Sequence, residues 1–208
     1  MLNQLKEVFD VYVSHGARSG KKVDCLHNYF LQNINDIIDG LPNKEIYQCR
    51  TEYNVSACNA SGKKKCDIVV LKNGLPHIIF PVKFIMSNYK QNKNNAWENI
   101  TGELCHIYWA DLEKKINLIP INIVFNEIPY LKTNKQIQNF ENITYANSFK
   151  IYENLLSQGI IFDQMNYIID VKHKCSVNTI YDKCPDILGF NTETPYRSFY
   201  EVIHTLLQ

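Results

Sequence analysis

The chain is 208 residues long, with 45% hydrophobic, 21% charged and 12% aromatic residues, values that fit a packed globular domain and exclude collagen-like, disordered and disulfide-scaffold classes. Twenty-two Lys and Arg against 21 Asp and Glu leave a formal charge of +1, so an affinity for nucleic acid or membrane has to be local rather than global. Seven cysteines, Cys25, Cys49, Cys58, Cys66, Cys105, Cys175 and Cys184, form no CxxC pair and suit reduced thiols rather than a disulfide frame.

In chain order, residues 2 to 13 predict a short helix, broken by Lys6, Glu7 and Asp10 in a way that a secretory leader is not. No apolar run approaches the ~20 residues needed to cross a bilayer. A cytoplasmic protein is therefore expected, with the sequons at Asn54, Asn59, Asn99 and Asn142 left bare. A polar stretch carrying Arg18, Lys21 and Lys22 follows. From Val23 to Ile38 the apolar residues Val23, Leu26, Phe30, Ile34, Ile37 and Ile38 keep helical spacing, and Gly40 and Pro42 supply a stop. Residues 45 to 55 alternate as a strand and Asn59 to Gly62 mark a turn. Cys66 to Leu71 predict a short strand, Asn73-Gly74 a hairpin turn, and Pro76 to Phe84 its antiparallel partner. A polar loop, Ser87 to Asn95, leads to a helix striped by Trp97, Ile100, Leu104, Ile107 and Tyr108 and ending near Lys115. Leu118 to Phe125 has the unbroken apolar look of a central strand covered on both faces. Residues 126 to 146 are irregular, 147 to 158 helical up to Gly159, 164 to 172 a strand, and 198 to 207 a final helix. No repeat, linker or low-complexity tract divides the chain.

The chemistry gathers around the hairpin. Lys83 lies sixteen positions after Asp67 with Asn73-Gly74 between them, so an antiparallel fold-back sets the acid beside the base at the open end. An ordinary terminal salt bridge would use the same spacing. These residues, with strand, strand, strand, helix, strand over roughly 45 to 125, resemble the PD-(D/E)xK nuclease superfamily, whose motif is an acid, a hairpin-length spacer and Glu/Asp-x-Lys. The closest likeness is to a stand-alone type II restriction endonuclease. Cys66 stands where the family often has Pro, and Pro81-Val82-Lys83 has no carboxylate where the second acid normally sits. A recognised variation in the superfamily moves that acid to the following helix, where Glu98 and Glu103 are candidates; at about 100° per residue Glu103 falls at the margin of the apolar stripe and Glu98 turns further to solvent.

The resemblance implies an α/β, restriction-endonuclease-like fold: a mixed central β-sheet flanked by helices, one nuclease domain over 1 to 208. Its core would span about 45 to 125, with amino-terminal helices over 2 to 39 and a carboxy-terminal elaboration over 126 to 208. It implies Mg²⁺, replaceable by Mn²⁺, held by Asp67 and Glu103 or Glu98, with Lys83 at the attacking water and Glu52 at a metal-bound water or second cation. The plainer reading of Glu52 is a surface strand residue, and that of Glu98 and Glu103 is solvated helix charge near an amino-terminal dipole. A hard divalent cation needs such anionic ligands to polarise a phosphoryl oxygen and generate hydroxide at neutral pH.

Local charge agrees with a DNA partner. From Lys63 to Lys93 there are seven lysines (63, 64, 65, 72, 83, 90 and 93) against one acid, Asp67. Lys63, Lys64 and Lys65, and Arg18, Lys21 and Lys22, would meet phosphates; Asn88, Tyr89, Lys90, Gln91, Asn92, Lys93, Asn94 and Asn95 would supply amides for adenine edges and cations for the backbone. A solvated Asn-rich loop would look alike, as would an exposed turn around Arg18. The 126 to 147 stretch, with Tyr130, Lys132, Asn134, Lys135 and Gln136, is long for a structureless loop and suits a recognition element. No P-loop, GxGxxG or HExxH pattern supports another chemistry, and His173, Cys175 and Cys184 lack the close spacing of structural zinc ligands. The resulting expectation is a type II restriction-type deoxyribonuclease acting on double-stranded DNA. A homodimer would match palindromic sites, with the Phe199, Val202, Ile203, Leu206 face either an interface or core packing within the subunit. The alternatives are a catalytically inactive nuclease-fold DNA-binding module and a structure-selective nuclease such as a junction resolvase.

Overall fold

Helical periodicity at the amino terminus translates directly into structure. In a computed structural model, which describes residues 1–15, 21–110, 116–192 and 198–207, helix α1 spans Leu2–His15 and α2 spans Lys21–Asp39. A short 3₁₀ turn, Lys44–Ile46, leads to β1 (Tyr47–Ser56), then β2 (Lys63–Lys72), β3 (Leu75–Phe80) and β4 (Val82–Ile85). Helix α3 (Tyr89–Tyr108) follows, then β5 (Asn117–Leu118) and β6 (Ile121–Phe125), and a separate hairpin of β7 (Glu127–Leu131) and β8 (Ile137–Asn142). The chain closes with α4 (Tyr145–Ser148), α5 (Lys150–Ser157), β9 (Met165–Lys172), β10 (Asp186–Phe190) and α6 (Phe199–Leu207).

The fold is α/β with mixed strand pairing. Four-stranded sheets in the orders β1-β2-β3-β5 and β10-β9-β6-β4 meet where β3 runs into β4 at Pro81 and β5 runs into β6 past Pro120. Neither proline has an N–H to give a ladder, so the strands bend there. Bonds from Ile119 N to Ile79 O at 2.9 Å and from Ile121 N to Pro81 O at 2.8 Å carry the pairing across the bend. The first sheet is antiparallel through β1·β2·β3 and parallel at β3·β5, and the second is parallel through β4·β6·β9 and antiparallel at β9·β10. Every residue of β6 is buried, as its apolar run requires of a strand covered on both faces.

Helix α2 packs on β1 and β2, and α6 on α2. Phe199 of α6 lies 5.0 Å from Phe30 and 5.7 Å from Phe80 (ring centroids), and Val202, Ile203 and Leu207 are buried. The carboxy-terminal helix is therefore spent on this subunit's own core, the second of the two roles open to it in the sequence.

Several local expectations are corrected. The Pro76 to Phe84 strand is two strands divided by Pro81, and β2 begins three residues earlier than Cys66, taking Lys63, Lys64 and Lys65 into the ladder opposite Ser56, Val55 and Asn54. The Ser87 to Asn95 loop is mostly the first two turns of α3. Asparagine is a mediocre helix former, but Tyr89 is buried, and the Glu141 carboxylate, itself 4% exposed, accepts from Lys90 N at 3.2 Å and satisfies an otherwise orphaned helix donor. The irregular 126 to 146 stretch is the β7–β8 hairpin and α4, anchored by the fully buried Ile128 and Ile137 among polar neighbours. Strand β10 had no counterpart in the sequence reading, because Gly189 and a register shift between Ile187 and Gly189 disturb its alternation. Helix α3 ends at Tyr108, short of the expected end near Lys115, which itself lies outside the described residues.

Candidate active site

The Asn73-Gly74 turn, with φ of 53° and 77° at its two residues, has the paired left-handed geometry that matches strand twist. It pairs Lys72 with Leu75 and Ile68 with Phe80, which brings Asp67 level with the Pro81 bend. There the Val82 N–H donates to Asp67 Oδ2 at 2.8 Å. The next residue, Lys83, sends its ammonium to Glu103 of α3, Nζ to Oε2 3.7 Å, and Lys64 of β2 reaches the same oxygen at 3.4 Å. Only 9% of the Glu103 side chain is exposed, so two cations share one nearly buried carboxylate.

Cys66 lies among these charges. Its thiol is 1% exposed and is pushed up to about 12, first by burial and then by the negative charges of Glu103 and Asp67, with Lys64 and Lys83 pulling the other way. It therefore stays neutral beside them.

The other sequence candidates divide. Glu98 is exposed and belongs to no ion pair among the described residues, whereas Glu103 faces Lys83. Thr51 pairs with Ile68 and Tyr53 with Cys66, so Glu52 stands level with Asp67 on the neighbouring strand, where it is exposed and forms an ion pair with Lys65. Its φ of 54° is a left-handed value inside a strand, a conformation that costs a non-glycine residue free energy. Lys63 is exposed, Lys64 and Lys65 are held by Glu103 and Glu52, and Lys93 lies over the Trp97 ring at 4.9 Å.

Two of the amides expected to read bases are used inside the protein. Asn88 accepts from Leu131 N at 2.7 Å and donates to Leu131 O at 3.3 Å, and Asn92 donates to Ser87 O at 3.0 Å. Tyr89 is buried. Lys90, Gln91, Asn94 and Asn95 lie on the exposed side of α3. Arg18 lies outside the described residues, and Lys21 and Lys22 open α2.

Two features escaped the sequence reading. The sequence suits Lys64 to a phosphate contact, and nothing in a run of three lysines distinguishes the one that turns to Glu103. Asn122 sits in an apolar strand, where a lone amide is itself a signal; it is 3% exposed and donates to Asn166 Oδ1 at 2.7 Å.

Among the described residues no three His, Cys, Asp or Glu side chains form a group that could hold a metal ion. Two carboxylates are nonetheless a fitting donor set for Mg²⁺, which keeps most of its waters and takes one or two protein carboxylates. Asp67 offers Oδ1, which has no hydrogen bond among the described residues, and Glu103 offers a carboxylate already neutralised by two movable ammoniums. No described helix is long and apolar enough to cross a membrane. No protein-family model, curated protein or solved structure matches this chain.

Proposed function

We propose that this protein is a Mg²⁺-dependent, site-specific endonuclease that hydrolyses phosphodiester bonds of double-stranded DNA in the manner of type II restriction enzymes. The observation that supports it best is the meeting of Lys83 with Glu103 beside Asp67: the acid missing from Pro81-Val82-Lys83 has a counterpart on α3 at the ammonium where the chemistry would need it. Asp67 and Glu103 would hold the cation, with Mn²⁺ able to substitute. When bound, the cation supplies Lewis-acid polarisation of the phosphoryl oxygen and a more acidic water. Lys83 would orient that water and stabilise negative charge developing on the phosphate. Lys64, released once Glu103 is taken up, would meet a neighbouring phosphate oxygen. Glu52, level with Asp67, would serve a metal-bound water. A homodimer on palindromic sites belongs to the proposal by analogy alone.

The test is digestion of plasmid and phage DNA with and without Mg²⁺, using the natural chain, Lys83→Ala and Glu103→Ala. Discrete fragments that require the cation and vanish in both variants are expected. Intact DNA from well-folded protein that takes up no Mg²⁺ would instead favour a nuclease-fold DNA-binding module without catalysis. Preferential cutting of branched over linear DNA would favour a junction resolvase.

A further inference from the structure

Strand register sets three side chains in one row. Lys83 of β4 pairs with Asn122 of β6, and Asn122 pairs with Asn166 of β9. Residues level with one another in a ladder project from the same face, so the ammonium-bearing side chain and the two amides are neighbours on one side of the sheet.

The amides have a direction. Asn166 Nδ2 donates to Gln164 Oε1 at 2.9 Å, and Asn122 Nδ2 donates to Asn166 Oδ1 at 2.7 Å. Asn122 donates to β9, and Asn166 donates onward to Gln164 and, at 3.5 Å, to the Tyr145 hydroxyl, which leaves Asn122 Oδ1 as the acceptor end of the chain, on the strand next to Lys83. That oxygen is buried and has no hydrogen-bond partner. Hydrogen bonds polarise one another along such a chain, so its free oxygen carries more negative charge than an isolated amide would. A buried acceptor left unmade is costly, and each one in a folded protein calls for an explanation. Here the nearest register neighbour is a lysine whose ammonium is held elsewhere, at Glu103.

We propose that Asn122 is a positioning residue for Lys83: its Oδ1 accepts the Lys83 ammonium when the Glu103 carboxylate is withdrawn, as it would be on taking up a cation. Lys83 then has two stations, Glu103 in the free protein and Asn122 in the loaded one, and Asn122 keeps the ammonium at the end of β4 instead of releasing it to solvent. The functional meaning rests on the nuclease reading; the exchange of partners does not.

The full-length protein tests it through double-mutant cycles for Lys83→Met and Asn122→Leu, read as the unfolding equilibrium constant in denaturant, in the natural background and in Glu103→Gln. Replacing Glu103 by Gln withdraws the charge without any cation, so the result stands whether or not the chain is a nuclease. In the natural background the pair should show almost no coupling. In the Glu103→Gln background a coupling of about tenfold in the unfolding constant is expected, the scale of a hydrogen bond to a charged group. Asn122→Asp, which keeps the acceptor, should leave the effect of Lys83→Met in that background as large or larger, and Asn122→Ala, which also removes the acceptor, replaces Asn122→Leu in the cycle if the latter does not fold. Equal coupling in the two backgrounds would overturn the proposal. A coupling that appears only with Glu103→Gln, in a protein that takes up no Mg²⁺, would leave the partner exchange standing and remove the nuclease reading.

Discussion

The Val82 backbone N–H donates to Asp67 Oδ2 at 2.8 Å, so the acid proposed for the cation also fastens the first residue of β4 beyond the Pro81 bend. One carboxylate oxygen is committed to architecture, and the other, Oδ1, has no hydrogen bond among the described residues. Asp67→Ala should lose about 1.5–3 kcal/mol, the range for a hydrogen bond to a charged group. Asp67→Asn keeps an acceptor for Val82 and should lose less than half of that. Both should abolish Mn²⁺ uptake by calorimetry. Equal destabilisation by the two, in urea, would show that the bond does not depend on the acceptor oxygen.

Glu103 binds Lys64 and Lys83 through one oxygen. About a third of each lysine side chain is exposed, so solvent screens both pairs, and each cycle with Glu103→Gln should give a coupling of about 0.5–1 kcal/mol. The couplings should be non-additive, because removing either lysine leaves the carboxylate wholly to the other. Raising salt from 0.05 to about 1 M should shrink both. Additive couplings that ignore salt would contradict the shared geometry.

At Glu52 the strand holds φ at 54°. Glycine adopts that conformation without Cβ strain, so Glu52→Gly should raise stability by about 1 kcal/mol. Glu52→Ala keeps the strain and loses the ion pair with Lys65, and should not stabilise. Thermal midpoints decide the matter: if alanine stabilises as much as glycine, relief of strain is not the cause.

Cys49 and Cys66 are buried, and burial is the first cause that pushes each thiol up to about 12, whereas Cys58 is exposed. At pH 8 a thiol-specific reagent should label Cys58 within minutes and spare Cys49 and Cys66 until denaturant is added. Unfolded thiols release their protons near pH 9 while these two hold theirs in the fold, so their contribution to stability is complete below about pH 9 and is lost as pH rises toward 12. Protein lacking only these two cysteines should lose less stability between pH 8 and 11, the remaining loss coming from groups such as Tyr12, Tyr89 and Cys25, whose protons burial also holds in the fold.

Much of this arrangement is legible from local pattern. The period of α2, the Asn73-Gly74 turn and the unbroken apolar run of β6 each depend on neighbours a few residues apart, so the sequence determines them. Asp67 and Lys83 could be brought to one end of a hairpin for the same reason, since turn length fixes which ends meet. The angular step of a helix sets Glu103 at the margin of the apolar stripe and turns Glu98 to solvent, and their burial follows that order.

What the sequence could not determine depends on partners distant in the chain. Helix α3 begins at Tyr89 rather than beyond Asn95 because Glu141 caps it and Tyr89 is buried. Asn88 and Asn92 spend side-chain hydrogen bonds on Leu131 and Ser87, partners that no local pattern names. Lys64 is singled out of three lysines by its reach to α3, and Asn122 becomes conspicuous only once register sets it beside Lys83. Secondary structure follows from short-range periodicity and turn chemistry. Which carboxylate a lysine meets, and which amide is left without a donor, follows from the tertiary packing that decides where those elements lie against one another.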